Sequence, residues 1–122
     1  MLEPVLEDLS LTYPIDRGRV YVLGHSMGGG ATSRLAAEQG SLLRAACCIA
    51  GFRGFPSQAK IPPTLVIAAE NDAIIPAAGI EEAAKKGIAD KLPITFELVP
   101  AYGHTLVVEA KLPEVIDWMW RQ

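Results

Sequence analysis

Between Arg19 and Gly30 the chain passes from large residues straight into glycine, as Arg19-Val20-Tyr21-Val22-Leu23 and then Gly24-His25-Ser26-Met27-Gly28-Gly29-Gly30. The first run is β-branched and aromatic and reads as a short buried strand. Met27 to Gln39, with Ala31, Leu35 and Ala36 on one face and Gly40 behind it, reads as a helix stopped by glycine. A chain that leaves a strand and enters a helix within a residue or two holds its central residue in a sparsely allowed backbone region. Side chains two positions to either side would collide there. Gly24 and Gly28 remove both collisions, so Gly24-x-Ser26-x-Gly28 lifts one hydroxyl above the end of a strand, at a helix N-terminus. Two plainer uses compete with that one. Ser26 as a simple helix cap leaves the flanking glycines without a purpose. A phosphate cradle needs Lys and Ser/Thr where this chain has Gly30 and Ala31.

The same strand-then-helix pattern continues. A helix over the first dozen residues, with Leu2, Val5, Leu6 and Leu9 inward, ends near Tyr13-Pro14. Ala45 to Ala50 and Thr64 to Ala69 read as strands on either side of a Gly/Pro-rich loop from Gly51 to Pro63. Ile80 to Ile88 is a helix with Glu81/Lys85 and Glu82/Lys86 pairs, Ile94 to Val99 a strand, and Leu112 to Arg121 a last helix with Val115, Ile116 and Met119 inward. Nearly all-apolar strands alternating with helices predict an α/β fold with a short, mostly parallel sheet of about four strands covered by helices. Its 122 residues are read as one domain.

Composition narrows the function classes. A net charge of −3 with scattered Lys and Arg offers no basic stripe for phosphates, which excludes nucleic acid as the expected partner. No apolar run approaches the roughly 18 residues of a membrane span, and Glu3, Glu7 and Asp8 break any signal-peptide layout, so the expectation is a cytoplasmic protein. Cys47 and Cys48 are adjacent within an apolar run and read as two buried thiols. No ligand spacing for a metal accompanies them, and no cofactor is expected.

A serine hydroxyl is a poor nucleophile, so Ser26 needs a base within hydrogen-bond reach and a third group to orient that base. There are two histidines. His25 adjoins Ser26 on the turn and points away from it, which reads as packing or hydrogen bonding under the turn. His104, in Pro100-Ala101-Tyr102-Gly103-His104, follows the last strand, on the edge where the functional loops of a parallel sheet gather. Glu70-Asn71-Asp72 reaches the same edge. Asp72 is chosen because Glu70 is close enough to its strand to be a strand-end side chain, while an Asx-turn role for Asp72 stands as the plain alternative. Asp16 and Asp90 precede strands, on the opposite edge, as solvated or capping residues.

Gly24-His25-Ser26-Met27-Gly28-Gly29, Glu70-Asn71-Asp72-Ala73-Ile74-Ile75-Pro76 and Tyr102-Gly103-His104, in that order, resemble the nucleophile, acid and histidine segments of the α/β-hydrolase superfamily. Tyr13 to Val22 is similar to the entry into the nucleophile strand in the esterase and dienelactone-hydrolase-like branches. The resemblance implies a serine carboxylesterase for short-chain esters, with Ser26 as nucleophile, His104 as base and then acid, and Asp72 holding the imidazole. It implies the Met27 N–H as one oxyanion donor, and no cofactor. Phe52, Phe55, Ile75, Tyr102 and Leu106 lie near the functional edge as candidates for an acyl pocket.

The chain matches the C-terminal half of that fold, with one helix before the nucleophile strand where the superfamily has several strands. The second oxyanion donor comes, in that superfamily, from a loop after an early strand. Arg19 to Leu23 is left as an apolar sheet edge, which predicts a homodimer or higher oligomer joined there. The competing expectation, of a different class, is a catalytically weak or inactive half-domain serving as a subunit or structural fragment.

Overall fold

In the computed structural model, which describes residues 2–122, the elements run α1 (Leu2–Thr12), β1 (Tyr21–His25), α2 (Met27–Gln39), a 3-10 turn (Gly40–Leu42), β2 (Ala45–Ile49), β3 (Thr64–Ala69), α3 (Ala77–Ala89), β4 (Ile94–Val99) and α4 (Leu106–Trp120). The four strands form one sheet in the order β1-β2-β3-β4, and every neighbouring pair is parallel, with Tyr21 opposite Ala45, Ala46 opposite Thr64 and Thr64 opposite Ile94. The expected α/β class with a parallel sheet is what forms. All four strands therefore end on the same edge, and the loops after β1, β2, β3 and β4 meet there.

Alternation along the strands sorts the core onto two faces. Cys47, Ile49, Leu65, Ile67 and Val99 pack with Val107, Val115 and Met119 of α4. Cys48, Val66 and Ala68 turn to the opposite face, against Ile80 and Ala84 of α3, and Ala46 joins Ala36 and Leu43 beneath α2. Both cysteines are free and buried. Burial drives their thiols strongly upward, Cys48 to about 12 and Cys47, beside Cys48 and Glu97, further still.

Five sequence expectations need correction here. β1 begins at Tyr21 and runs on through Gly24 and His25, because its parallel partner β2 supplies hydrogen-bonding groups up to Ile49, whose carbonyl accepts from the Ser26 N–H at 2.8 Å. Helix α4 starts at Leu106, six residues before the expected Leu112, and carries Pro113 inside it. Pro113 removes the donor for the Glu109 carbonyl, and both residues are exposed, so the break falls on the solvent side of the helix. Ile116 is 53% exposed and does not point inward. On α1 only Leu6 is buried, with Val5 and Leu9 left substantially exposed. Of the two ion pairs expected on α3, Glu81 with Lys85 forms at 2.8 Å, and Glu82 with Lys86 is not found among the described residues.

The central strands β2 and β3 are buried throughout, whereas β1 and β4, at the two edges, are only partly covered. Arg19 ties the start of β1 to the end of α4, its guanidinium lying 4.0 Å over the Trp120 ring. No helix among the described residues is long and apolar enough to cross a membrane.

Candidate active site

Ser26 leaves the carboxyl end of β1 with φ 59° and ψ −120°, a conformation outside the left-handed helical well and costly for any residue with a Cβ. Neighbouring backbones hold it there. Its N–H bonds to β2, and its carbonyl accepts from the N–H groups of Gly29 and Gly30 at the start of α2. The glycine requirement differs in part from the sequence expectation. A Cβ on Gly24 would lie 2.0 Å from the Gly28 carbonyl oxygen, but one on Gly28 would meet nothing. Gly51, in the loop after β2, is obligatory as well, since a Cβ there would lie 1.9 Å from the Ser26 carbonyl oxygen, and so is Gly29, where one would lie 2.3 Å from the Gly51 carbonyl oxygen. Gly51 is 25 positions from the serine, so no local pattern announces it.

Asp72 comes from the loop after β3 and His104 from the loop after β4; His104 reaches Ser26, and Asp72 reaches His104. His104 Nε2 lies 2.8 Å from Ser26 Oγ, and His104 Nδ1 lies 2.7 Å from Asp72 Oδ2. A carboxylate only accepts, so Nδ1 carries the hydrogen and the Nε2 lone pair faces the serine hydroxyl. Asp72 Oδ1 accepts from the N–H groups of Ile74 and Ile75 at 2.9 and 2.8 Å. The Asx turn and the contact with histidine, weighed as alternatives from sequence, thus occupy different oxygens of one carboxylate.

The Asp72 side chain is shielded from solvent and that of His104 is 10% exposed. Burial pushes the Asp72 carboxyl up, but the His104 hydrogen bond, the two backbone N–H groups and the nearby imidazole outweigh it and hold the carboxyl below its ordinary value. The group is therefore ionised at neutral pH, as an acceptor for Nδ1–H must be.

His25 lies under the turn, as expected, and its partner is specific. Its Nε2 is 2.7 Å from the main-chain oxygen of His104, and the two imidazole centroids are 4.8 Å apart. Glu70, set aside from sequence as a strand-end side chain, accepts from the Ala101 N–H at 3.1 Å. Ala101 has φ 67°, so Glu70 supports a strained residue in the loop that carries His104.

A groove of about 960 Å³ opens beside Ser26, lined among others by Met27, Gly30, Phe52, Arg53, Pro56 and Ile75. The Met27 side chain is 87% exposed. As the first residue of α2, Met27 has an N–H with no acceptor one turn earlier in the helix. Phe52 packs edge-on against Phe55, with ring centroids 5.3 Å apart. Of the expected pocket residues, Phe52 and Ile75 line the groove while Phe55, Tyr102 and Leu106 do not. The Tyr102 carbonyl accepts from the Asn71 N–H, and Leu106, at the first turn of α4, is 62% exposed. Asp16 accepts from the Gly18 N–H and Asp90 is the C-terminal cap of α3, both away from this site. Among the described residues no group of three or more His, Cys, Asp or Glu side chains is gathered as for a metal.

The backbone is similar to several solved esterases. It superposes on a thermostable esterase with a TM-score of 0.80 at 24% identity, covering 99% of this chain and 35% of that one. For the S-formylglutathione hydrolase of Staphylococcus aureus the TM-score is 0.82 at 18% identity, covering 97% and 58%. For the Bacillus cereus carboxylesterase it is 0.73 at 18%, covering 98% and 57%. In sequence, 75 residues (61% of this chain) are 40% identical to the bis(hydroxyethyl) terephthalate hydrolase of Streptomyces coelicolor, and span about a quarter (24%) of that curated relative. Residues 5–90, more than two thirds of the chain, match the family described as PETase: PET hydrolase-like. With an esterase-like α/β-hydrolase fold and this match, the chain belongs to the PET hydrolase-like family.

Proposed function

We propose that this chain is a serine carboxylesterase that hydrolyses small, short-chain esters through an acyl-enzyme. The observation that carries the reading is the continuous hydrogen-bonded line Ser26 Oγ, His104, Asp72 at 2.8 and 2.7 Å, with the serine held in a strained turn. His104 Nε2 takes the hydroxyl proton as Ser26 Oγ attacks the ester carbonyl, and returns it to the leaving alkoxide. Asp72 holds the imidazole in the tautomer that accepts at Nε2 and stabilises the imidazolium. The Met27 N–H donates to the developing oxyanion. Water, deprotonated by the same imidazole, then releases the acyl group.

The groove beside Ser26, with Phe52, Pro56 and Ile75 on its wall, suits a compact apolar or aromatic acyl group. Bis(hydroxyethyl) terephthalate, named for the Streptomyces relative, is the first such ester to try. The test is hydrolysis of that diester and of a chromogenic short-chain ester by the protein and by Ser26→Ala, together with labelling by a fluorophosphonate. Turnover and labelling that vanish in the variant are expected. Labelling that persists in Ser26→Ala, or is absent from both proteins, refutes the reading; absence from both leaves the catalytically inactive half-domain as the reading.

The same reading includes self-association. β1 is an edge strand, and since the Ser26 N–H points to β2, the alternate backbone groups of Tyr21, Leu23 and His25 point away from the sheet. A second copy pairing along β1 about a two-fold axis would satisfy them and cover Leu23, which is 38% exposed. Light scattering at micromolar concentration should show a dimer that Leu23→Pro dissociates. A monomer there refutes the pairing.

A further inference from the structure

We infer that His25 is a positioning residue, whose hydrogen bond to the main chain of His104 sets the distance between the Ser26 hydroxyl and the His104 ring. The inference rests on the reading of Ser26, His104 and Asp72 as a working triad.

The segment from Pro100 to Thr105 lies outside strand and helix and is held by hydrogen bonds at almost every residue. The Ala101 N–H donates to Glu70 at 3.1 Å. The Asn71 N–H donates to the Tyr102 carbonyl at 3.0 Å, and the N–H groups of Val107 and Val108 donate to the carbonyls of Gly103 and Thr105 at 3.4 and 3.3 Å. All of these tie the segment to the acid loop after β3 or to its own helix, and none ties it to the serine turn. The His104 carbonyl is the exception. It accepts from His25 at 2.7 Å, the shortest bond of the set.

His25 directly precedes Ser26, so this bond closes a ring. The ring runs from Ser26 Oγ through the His104 imidazole to the His104 main chain, across to the His25 imidazole, and back through one peptide unit to Ser26. A carbonyl only accepts, so His25 Nε2 carries a hydrogen. The imidazole centroids lie 4.8 Å apart at 42°, so packing limits ring rotation as well. Without the donor, the acid and base loops would still move as one, but the only hydrogen bond among the described residues between them and the serine turn would be that between Ser26 and His104. One neutral hydrogen bond is a weak constraint on a loop, and reaction rates fall steeply when reacting groups drift from contact.

His25→Phe keeps a ring of similar size and removes the donor. His25→Gln keeps the donor, since its amide nitrogen stands as many bonds from Cα as Nε2 does. With a chromogenic short-chain ester, His25→Phe should lower kcat about tenfold with KM changed by less than about twofold, and His25→Gln should recover to within about threefold of the parent. A second readout needs no turnover. The proton between His104 Nδ1 and Asp72 gives a low-field NMR resonance, which should broaden in His25→Phe and stay sharp in His25→Gln. Unchanged kcat and resonance in His25→Phe would overturn the inference, and so would equal impairment of the two variants, which assigns the effect to packing. Should His25→Phe fail to fold, a broadened resonance in His25→Gln overturns it and a sharp one supports it. Absence of ester turnover from the parent counts against the triad reading alone, because the resonance still reports the tether.

Discussion

Asp72→Asn is the sharpest perturbation of the site because both carboxylate oxygens are committed. Oδ2 faces His104 Nδ1 at 2.7 Å, and Oδ1 takes two backbone N–H groups at 2.8 and 2.9 Å. An asparagine has one accepting end and must choose. With its oxygen toward Ile74 and Ile75 it keeps both backbone bonds and turns its NH2 group on His104 Nδ1. With its oxygen toward His104 it turns a donor on the exposed Ile74 N–H and the half-buried Ile75 N–H and loses both bonds, at about 0.5 to 1.5 kcal/mol each. The first orientation is thus favoured by about 1 to 3 kcal/mol, and 2 kcal/mol corresponds to a population ratio of about thirty. In that orientation Nδ1 must be bare, so the His104 proton moves to Nε2 and points at Ser26, where it cannot accept the hydroxyl proton. The wrong tautomer costs about 10⁴ in kcat where the same substitution has been made in a serine-hydrolase triad. Here a loss of about 10² to 10⁴ in the rate of fluorophosphonate labelling is expected, with the urea midpoint close to the parent's because the two backbone bonds survive. A loss below tenfold in a protein of parental stability would refute the claim that the carboxylate sets the tautomer.

The depressed carboxyl of Asp72 also has a signature in stability. A group whose folded pKa lies below its unfolded value, near 3.9, contributes stability that is fully present above that value and is lost as the pH falls through the folded pKa. Urea midpoints from pH 6 downward should therefore fall below about pH 4, and less steeply in Asp72→Asn. Ser26→Gly should raise Tm by about 2 to 8 °C while abolishing labelling, because glycine relieves about 1 kcal/mol or more of strain at φ 59°; an unchanged Tm would argue against stored strain. Gly51→Ala should cost about 3 kcal/mol or more in a urea titration, since its Cβ would lie 1.9 Å from a backbone oxygen that cannot move without displacing Ser26. Cys47 and Cys48, buried and with thiol pKa values raised, should react with a thiol reagent at pH 8 only as fast as the protein unfolds. Prompt reaction of either would contradict their burial.

How much could be read without coordinates depended on the range of the interaction. The spans of α2, β3 and β4 follow from apolar periodicity and from glycine and proline punctuation, which act over a few residues, and their boundaries match. The parallel sheet follows from strands too apolar to face water, and the choice of Asp72 and His104 from the rule that functional loops share one edge of such a sheet. Elements shaped by distant partners were less legible. β1 extends to His25 because β2 lies beside it, and α4 begins at Leu106 because Val107 packs against the sheet face.

The sequence by itself determined the serine turn, the class of sheet and which edge would hold polar side chains, because a glycine-flanked serine between an apolar strand and a helix has few conformations open to it. Only the tertiary structure decided what meets what. His104 reaches back across 78 positions to Ser26, and one carboxylate of Asp72 serves both a turn and a histidine. Gly51 is needed because another backbone crosses over it, and His25 bonds the main chain of His104, 79 positions away. Those contacts join segments far apart in the chain, and their geometry is set by sheet register and helix packing, to which no local run of residues refers.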